Sequence, residues 1–284
     1  MERVMRMANF DAQIRESQEQ VAKAQARISE VTTRIEAARS TLGTAEAGFD
    51  IETATLESVS KQADLMNANI AELIMGLDDV TAGFSKDFDE MRSKTGVESL
   101  IGFFSRGRAE AMRQERLRSA SIDDKLQDLI AKSDVIVKLL QGQLDLLNDQ
   151  KGRVETNLTA TLTEREATVA ALEAARAEIL GMDPKIIDLE NRISVEQDAA
   201  ARTRLESDLA ALNTRYNALV QDEQVQLAKS QTLERYIDKG KTWVDSLQNQ
   251  AATQMVLINK LQTDTKQRVV LYDALTSSLK TAQQ

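Results

Sequence analysis

The sequence predicts an all-α fold: an elongated antiparallel coiled-coil bundle of about three long helices, with a short broken connection near residues 85–120. Two observations predict it. The first is composition. The 284 residues hold one Pro, 11 Gly and 4% aromatic side chains against 29% charged ones, a balance that belongs to long helices and not to a sandwich, a barrel or an α/β sheet. The second is a seven-residue apolar repeat sustained along most of the chain.

The first element, over residues 1–90, is a long N-terminal coiled-coil helix. Its seam reads Met7, Ile14, Val21, Ile28, Ile35, Leu42, Phe49, Leu56, Ala63, Ile70, Leu77 and Phe84. A second column, three residues on, is broken only by Ser17 and Glu52. A strict period of seven predicts a left-handed supercoil. Gly43 and Gly48, near its middle, each cost about 1 kcal/mol against Ala and predict a bend or loosening there.

Residues 91–120 form a Gly/Phe/Arg-rich connection. A second helix is expected over 121–181, starting near Ser121, an N-cap residue ahead of Asp123 and Asp124, whose charges suit the positive end of a helix. Gly181-Met-Asp-Pro184 is the expected boundary: Gly suits the residue after a helix, and Pro its first position. A connection that short makes its two helices antiparallel neighbours. The third helix covers 182–284, with heptads at Leu205/Leu209, Leu212/Tyr216, Leu219, Leu233/Ile237, Val244, Leu247/Ala251, Ile258/Leu261 and Leu275/Leu279. Polar gaps fall at Glu223, Gln226, Ser230, Gly240 and Gln254. A polar gap weakens a seam and fixes its register.

Composition excludes several kinds of chemistry. With no Cys there is no disulfide, thiolate metal site or thiol nucleophile. With no His there is no imidazole ligand and no imidazole base. The net charge of −9 argues against wrapping nucleic acid, and no nucleic-acid partner is expected. No apolar run approaches a bilayer span, and the first residues lack the apolar core of a secretory signal. A cytoplasmic chain is expected, and a place at the inner face of the membrane is compatible with it.

The candidate contact site is the stretch Leu100, Ile101, Phe103, Phe104, Arg106, Arg108, Arg113, Arg116 and Arg118. From Arg92 to Arg118 there are seven basic and three acidic residues, a local +4 against −13 for the remainder. An apolar wedge flanked by arginines suits an anionic membrane surface. It also suits phosphate or an acidic protein partner. A third reading makes the phenylalanines a cap on the bundle and pairs the arginines with neighbouring acids. Gly102 to Ala109 has the glycine spacing of a phosphate-binding loop, but Arg108 and Ala109 stand where that loop needs Lys and Ser or Thr. Asp78-Asp79, Asp87 with Asp89-Glu90, and Asp123-Asp124 lack calcium-loop spacing. Trp243 is read as packing. No cofactor, metal or catalytic residue is expected.

The order of the Gly-Phe-Phe-basic segment, then Ile122-Asp-Asp-Lys-Leu-Gln-Asp-Leu-Ile-Ala-Lys-Ser-Asp134, then the Leu139–Gln150 stretch, resembles TelA-type toxic-anion (tellurite) resistance proteins. Asn249-Gln250, Asn259 and Gln262 in the final helix are similar too. The resemblance covers residues 96–284 and implies a helical, cytoplasmic, stress-resistance protein. It carries over no catalytic residue. The sequence thus leads to a non-enzymatic scaffold with protein partners, oligomeric through its seams. The alternative is a membrane-remodelling helical polymer of phage-shock-protein A type.

Overall fold

A computed structural model describes residues 2–40, 42, 53–98 and 107–281, with side chains over 9–40, 42, 55–86 and 123–277. Four helices are present among them: α1 (Glu2–Arg39), α2 (Thr53–Glu98), α3 (Gly107–Val195) and α4 (Ala199–Thr281). The chain is all-α over the described residues, and no helix there is long and apolar enough to cross a membrane.

Three expectations are corrected. The single helix over 1–90 is two helices. The chain reverses between Arg39 and Thr53, the interval that holds Gly43 and Gly48, and α2 runs antiparallel to α1. The heptad residues are nonetheless where the repeat puts them: Ile28, Ile35, Ile70 and Leu77 are fully buried. Folding back lets the two halves of one seam cover each other. At the second boundary, α3 continues through Gly181 and Pro184 without a break. The chain turns instead at 196–198. There the Asp198 carboxylate accepts from Ala201 N at 2.8 Å, and Glu196 accepts from Asp198 N at 2.9 Å. Asp198 is therefore the N-cap of α4, and Pro184 stands on an exposed face, where water can take the carbonyl that its missing N–H leaves without a helix partner. Thirdly, α3 begins at Gly107 and not near Ser121, which narrows the interval between helices to 99–106.

The helices contribute to two compact units. Unit 1 joins residues 1–29, 57–150 and 246–284. Its core draws Phe10, Ile14 and Val21 from α1, Ile70, Leu73 and Leu77 from α2, Leu126, Leu129 and Ile136 from α3, and Ile258, Leu261 and Leu275 from α4. Cross-helix contacts fix direction. Asn69 reaches Gln20, and Arg27 reaches Gln62, so α1 and α2 are antiparallel. Ser60 pairs with Ser246 and Thr81 with Arg268, so α2 and α4 are parallel. Gln127 pairs with Tyr272 and Ser133 with Arg268, so α3 and α4 are antiparallel. At Gly76 the ring of Phe10 comes within 3.2 Å of where a Cβ would stand, a close approach that only Gly allows without a shift.

Unit 2 joins residues 30–56 and 151–245. At its base, the end of α1 packs on α3 and α4. Arg153 donates to both Glu36 oxygens at 2.9 and 2.7 Å, and Trp243, fully buried as packing, donates from its indole to Thr32 Oγ1 at 3.2 Å. Gly240 admits Leu158, whose Cδ2 lies 2.5 Å from an ideal Cβ. Beyond that level α3 and α4 form a two-helix hairpin. Ion pairs Arg165–Glu234, Lys229–Glu164, Arg176–Glu223 and Arg215–Glu178 stitch its edges.

Candidate functional site

The residues singled out by sequence divide at the edge of what is described. Leu100, Ile101, Phe103, Phe104 and Arg106 lie outside the described residues. Arg108, Arg113, Arg116 and Arg118 fall on α3, with only their backbone described. Two other features emerge among the described side chains: a polar line inside unit 1, and a groove on the hairpin of unit 2.

The polar line starts at Arg268, which is fully buried. Its Nε donates to Thr81 Oγ1 at 2.8 Å, and one terminal nitrogen donates to Ser133 Oγ at 2.7 Å. Nη2 has no hydrogen-bond partner among the described residues. Thr81 and Ser133 in turn donate to the carbonyls of Leu77 and Leu129. Burial pushes the guanidinium below its ordinary range, against the opposing charges of Asp264 and Asp78. Further along the same interior, Gln254 donates to Asn67, and Ser60 meets Ser246, which also accepts from Gln250 at 3.2 Å. Gln143 is fully buried, and neither amide atom is bonded among the described residues. Such a line costs stability and ties each helix to one register.

Lys132 sits at the edge of this core, held by Asp128 and by Asp11 at 3.2 Å. Burial works to lower its pKa, but the two carboxylates outweigh it and the net direction is up. The Asp123 carboxyl is raised by burial and then by Asp124. Lys132 is held by ion pairing, one Asp123 oxygen is buried with no partner among the described residues, and no group of three or more acidic side chains gathers as a cation site among them.

The groove lies between the hairpin arms, about 770 Å³ and open. Pro184, Lys185, Asp188 and Leu189 line it from α3. Asp208, Ala211, Leu212 and Arg215 line it from α4. Its floor is apolar and its rim carries both signs of charge.

Gln254 was legible as a gap in the seam. Arg268 was missed, although its signal was present: it stands seven residues after Leu261 and seven before Leu275, both seam positions. The groove was missed because its residues are spread over two helices whose register depends on where the chain turns. Compared with protein-family models, with curated proteins and with solved structures, the chain matches none.

Proposed function

We propose that this chain is a non-enzymatic coiled-coil scaffold: an antiparallel bundle that organises partner proteins and further copies of itself in the cytoplasm. The carrying observation is the length of its paired helices. α3 and α4 run for 89 and 83 residues, and beyond the base of unit 2 they cover, among the described residues, only each other. Half-buried seam positions such as Ile179, Ile186, Leu205 and Leu212 leave side surface for further helices. A stress-resistance role of the toxic-anion type belongs to the same proposal. It would be indirect, through a partner complex or the envelope, because thiols are the usual groups that reduce or trap soft oxyanions and the chain has none.

A second reading, a membrane-remodelling polymer of phage-shock-protein A type, is favoured by Phe103-Phe104 followed by Arg106, Arg108, Arg113, Arg116 and Arg118. It places the chain peripherally at the inner membrane. One experiment separates the two: sedimentation with anionic liposomes at low and high salt, with the unbound protein run on light-scattering chromatography. The scaffold reading expects a discrete soluble oligomer and weak, salt-sensitive pelleting. Rods or rings with tubulated vesicles would replace it by the second reading. A persistent monomer that leaves liposomes unbound would overturn both.

A further inference from the structure

The groove residues of unit 2 repeat in reverse with the charges exchanged. Along α3 they run apolar, basic, acidic, apolar: Pro184, Lys185, Asp188, Leu189. Reversal about the midpoint between Ile186 and Ile187 swaps Lys185 with Asp188 and Pro184 with Leu189. Along α4 they run acidic, apolar, apolar, basic: Asp208, Ala211, Leu212, Arg215. Reversal about the midpoint between Ala211 and Leu212 swaps Asp208 with Arg215.

The two midpoints lie at nearly one level of the hairpin. The Leu158–Gly240 contact and the Arg176–Glu223 pair set the register of its arms. Each step toward the tip on α3 is matched by a step back on α4, and with the Arg215–Glu178 and Lys229–Glu164 pairs on the other edge shifting the match by about one helical turn, Ile186-Ile187 lies within about a turn of Ala211-Leu212. A single two-fold axis crossing both arms therefore satisfies both reversals. Its operation lays a second hairpin antiparallel on the first, α3 over α3 and α4 over α4. Each Lys185 then meets Asp188 of the other copy, and each Asp208 meets Arg215 of the other copy. This is the self-complementarity an isologous contact requires.

The local packing asks for such cover. At the base of unit 2, where the end of α1 meets α3 and α4, Trp243 and Leu233 are fully buried. At the groove, Ile186, Leu189, Leu209 and Leu212 are only half-buried by the opposite arm. A second hairpin would complete a four-helix layer over Pro184, Leu189, Ala211 and Leu212. The charged rim is free to take part. Arg215 already donates to Glu178 through Nε and Nη2, both at 3.1 Å, but a guanidinium has five N–H donors and can hold a second carboxylate. Asp188 lies 3.8 Å from Arg192, a long and exposed pair that is readily exchanged.

From this geometry we infer that the groove face, centred on Lys185, Asp188, Asp208 and Arg215, is the homodimer surface of the chain. The inference rests on the scaffold reading only in naming which partner that scaffold holds, and it is tested separately. Lys185→Asp makes the α3 rim acidic in both copies, and Asp188→Lys makes it basic in both. Each variant alone should weaken dimerisation of the full-length chain about tenfold or more, because two attractive pairs become repulsive. An equimolar mixture should recover it, since the acidic rim of one copy faces the basic rim of the other. Sedimentation velocity reads the dimer, and circular dichroism checks that each variant stays helical. A parent that oligomerises while both variants keep that state would overturn this surface and leave the scaffold reading standing. A mixture that fails to recover the dimer would also overturn it. A monomeric parent would overturn this surface, and with it the self-association that the scaffold reading expects.

Discussion

Arg268 carries its charge into the core of unit 1 and finds two hydroxyls but, among the described residues, no carboxylate within ion-pair distance. Both hydroxyls keep their own backbone acceptors if the guanidinium goes, so its removal orphans neither of them. Replacing a buried, poorly paired charge by an apolar side chain of similar length is usually neutral or stabilising. Arg268→Met is therefore expected to leave stability unchanged or raise it by up to about 3 kcal/mol. Arg268→Ala should lower it by about 2–4 kcal/mol through the cavity it opens. Urea midpoints of the two variants decide the matter: an equal loss in both would show that the two hydrogen bonds outweigh the desolvation. Tyr236 gives a second residue-scale expectation, in pH. Burial pushes its phenol up to about 12, with Arg39 opposing and Glu36 adding to the rise. The folded state then holds this proton over a range in which the unfolded chain has already released it. Stability should fall as pH rises from about 10 to 12, by about 2–3 kcal/mol from this group. Lys132 acts in the same direction: its raised pKa means that the stability from Asp128 and Asp11 is present below the ordinary lysine range and is lost above it. Tyr236→Phe should flatten most of the alkaline fall in thermal midpoint, and an unchanged fall would assign it elsewhere.

At the scale of elements, the seam was legible and its partner was not. Ile28, Ile35, Ile70 and Leu77 were placed in the core by period alone, and they are there. The count of helices failed because Leu42 and Leu56 are two heptads apart, so a reversal between them leaves the phase undisturbed. Period reports which face is apolar and is silent on what covers it. At the other end, Gly181 and Pro184 looked like a turn because each residue suits one, yet continuous burial of Leu172, Ala175 and Met182 on one face keeps α3 unbroken. The actual turn uses Asp198 as a cap with no glycine beside it. The same helix supplies a test. No described Gly has a positive φ, and Gly142, Gly152 and Gly181 have nothing within 4 Å of an added Cβ. Each Gly→Ala change should therefore stabilise by roughly 0.5–1 kcal/mol. Gly181→Ala is the informative one: a thermal midpoint that rises fits a helix running through this position, and one that falls would restore the turn there. The site chosen by sequence centres on Phe103 and Phe104, outside the described residues, and the groove depends on register between arms, which residue types alone do not carry.

At the scale of the whole molecule, charge is the remaining lever, and it acts in two places. The chain is −9 overall with a basic stretch of +4 at 92–118, so contact with an anionic surface through that stretch should weaken as salt shortens the Debye length. The proposed dimer also leans on ion pairs and should weaken with salt, which makes salt alone a poor discriminator. Substitution separates them. Lys185→Asp should weaken the dimer about tenfold or more while leaving liposome pelleting unchanged, whereas Arg113→Glu with Arg116→Glu should weaken pelleting and leave the dimer unchanged. The pH response is shared. The chain has no His, the one side chain that ordinarily changes charge between about pH 5 and 8. Both contacts should accordingly be flat from about pH 6 to 8. Sedimentation at several pH values with and without liposomes reads both at once. A midpoint inside that window would require a side chain shifted far from its ordinary range and would move the search for the contact to that group. A flat response with the two substitutions acting independently would assign self-association to the hairpin groove and surface binding to the basic segment.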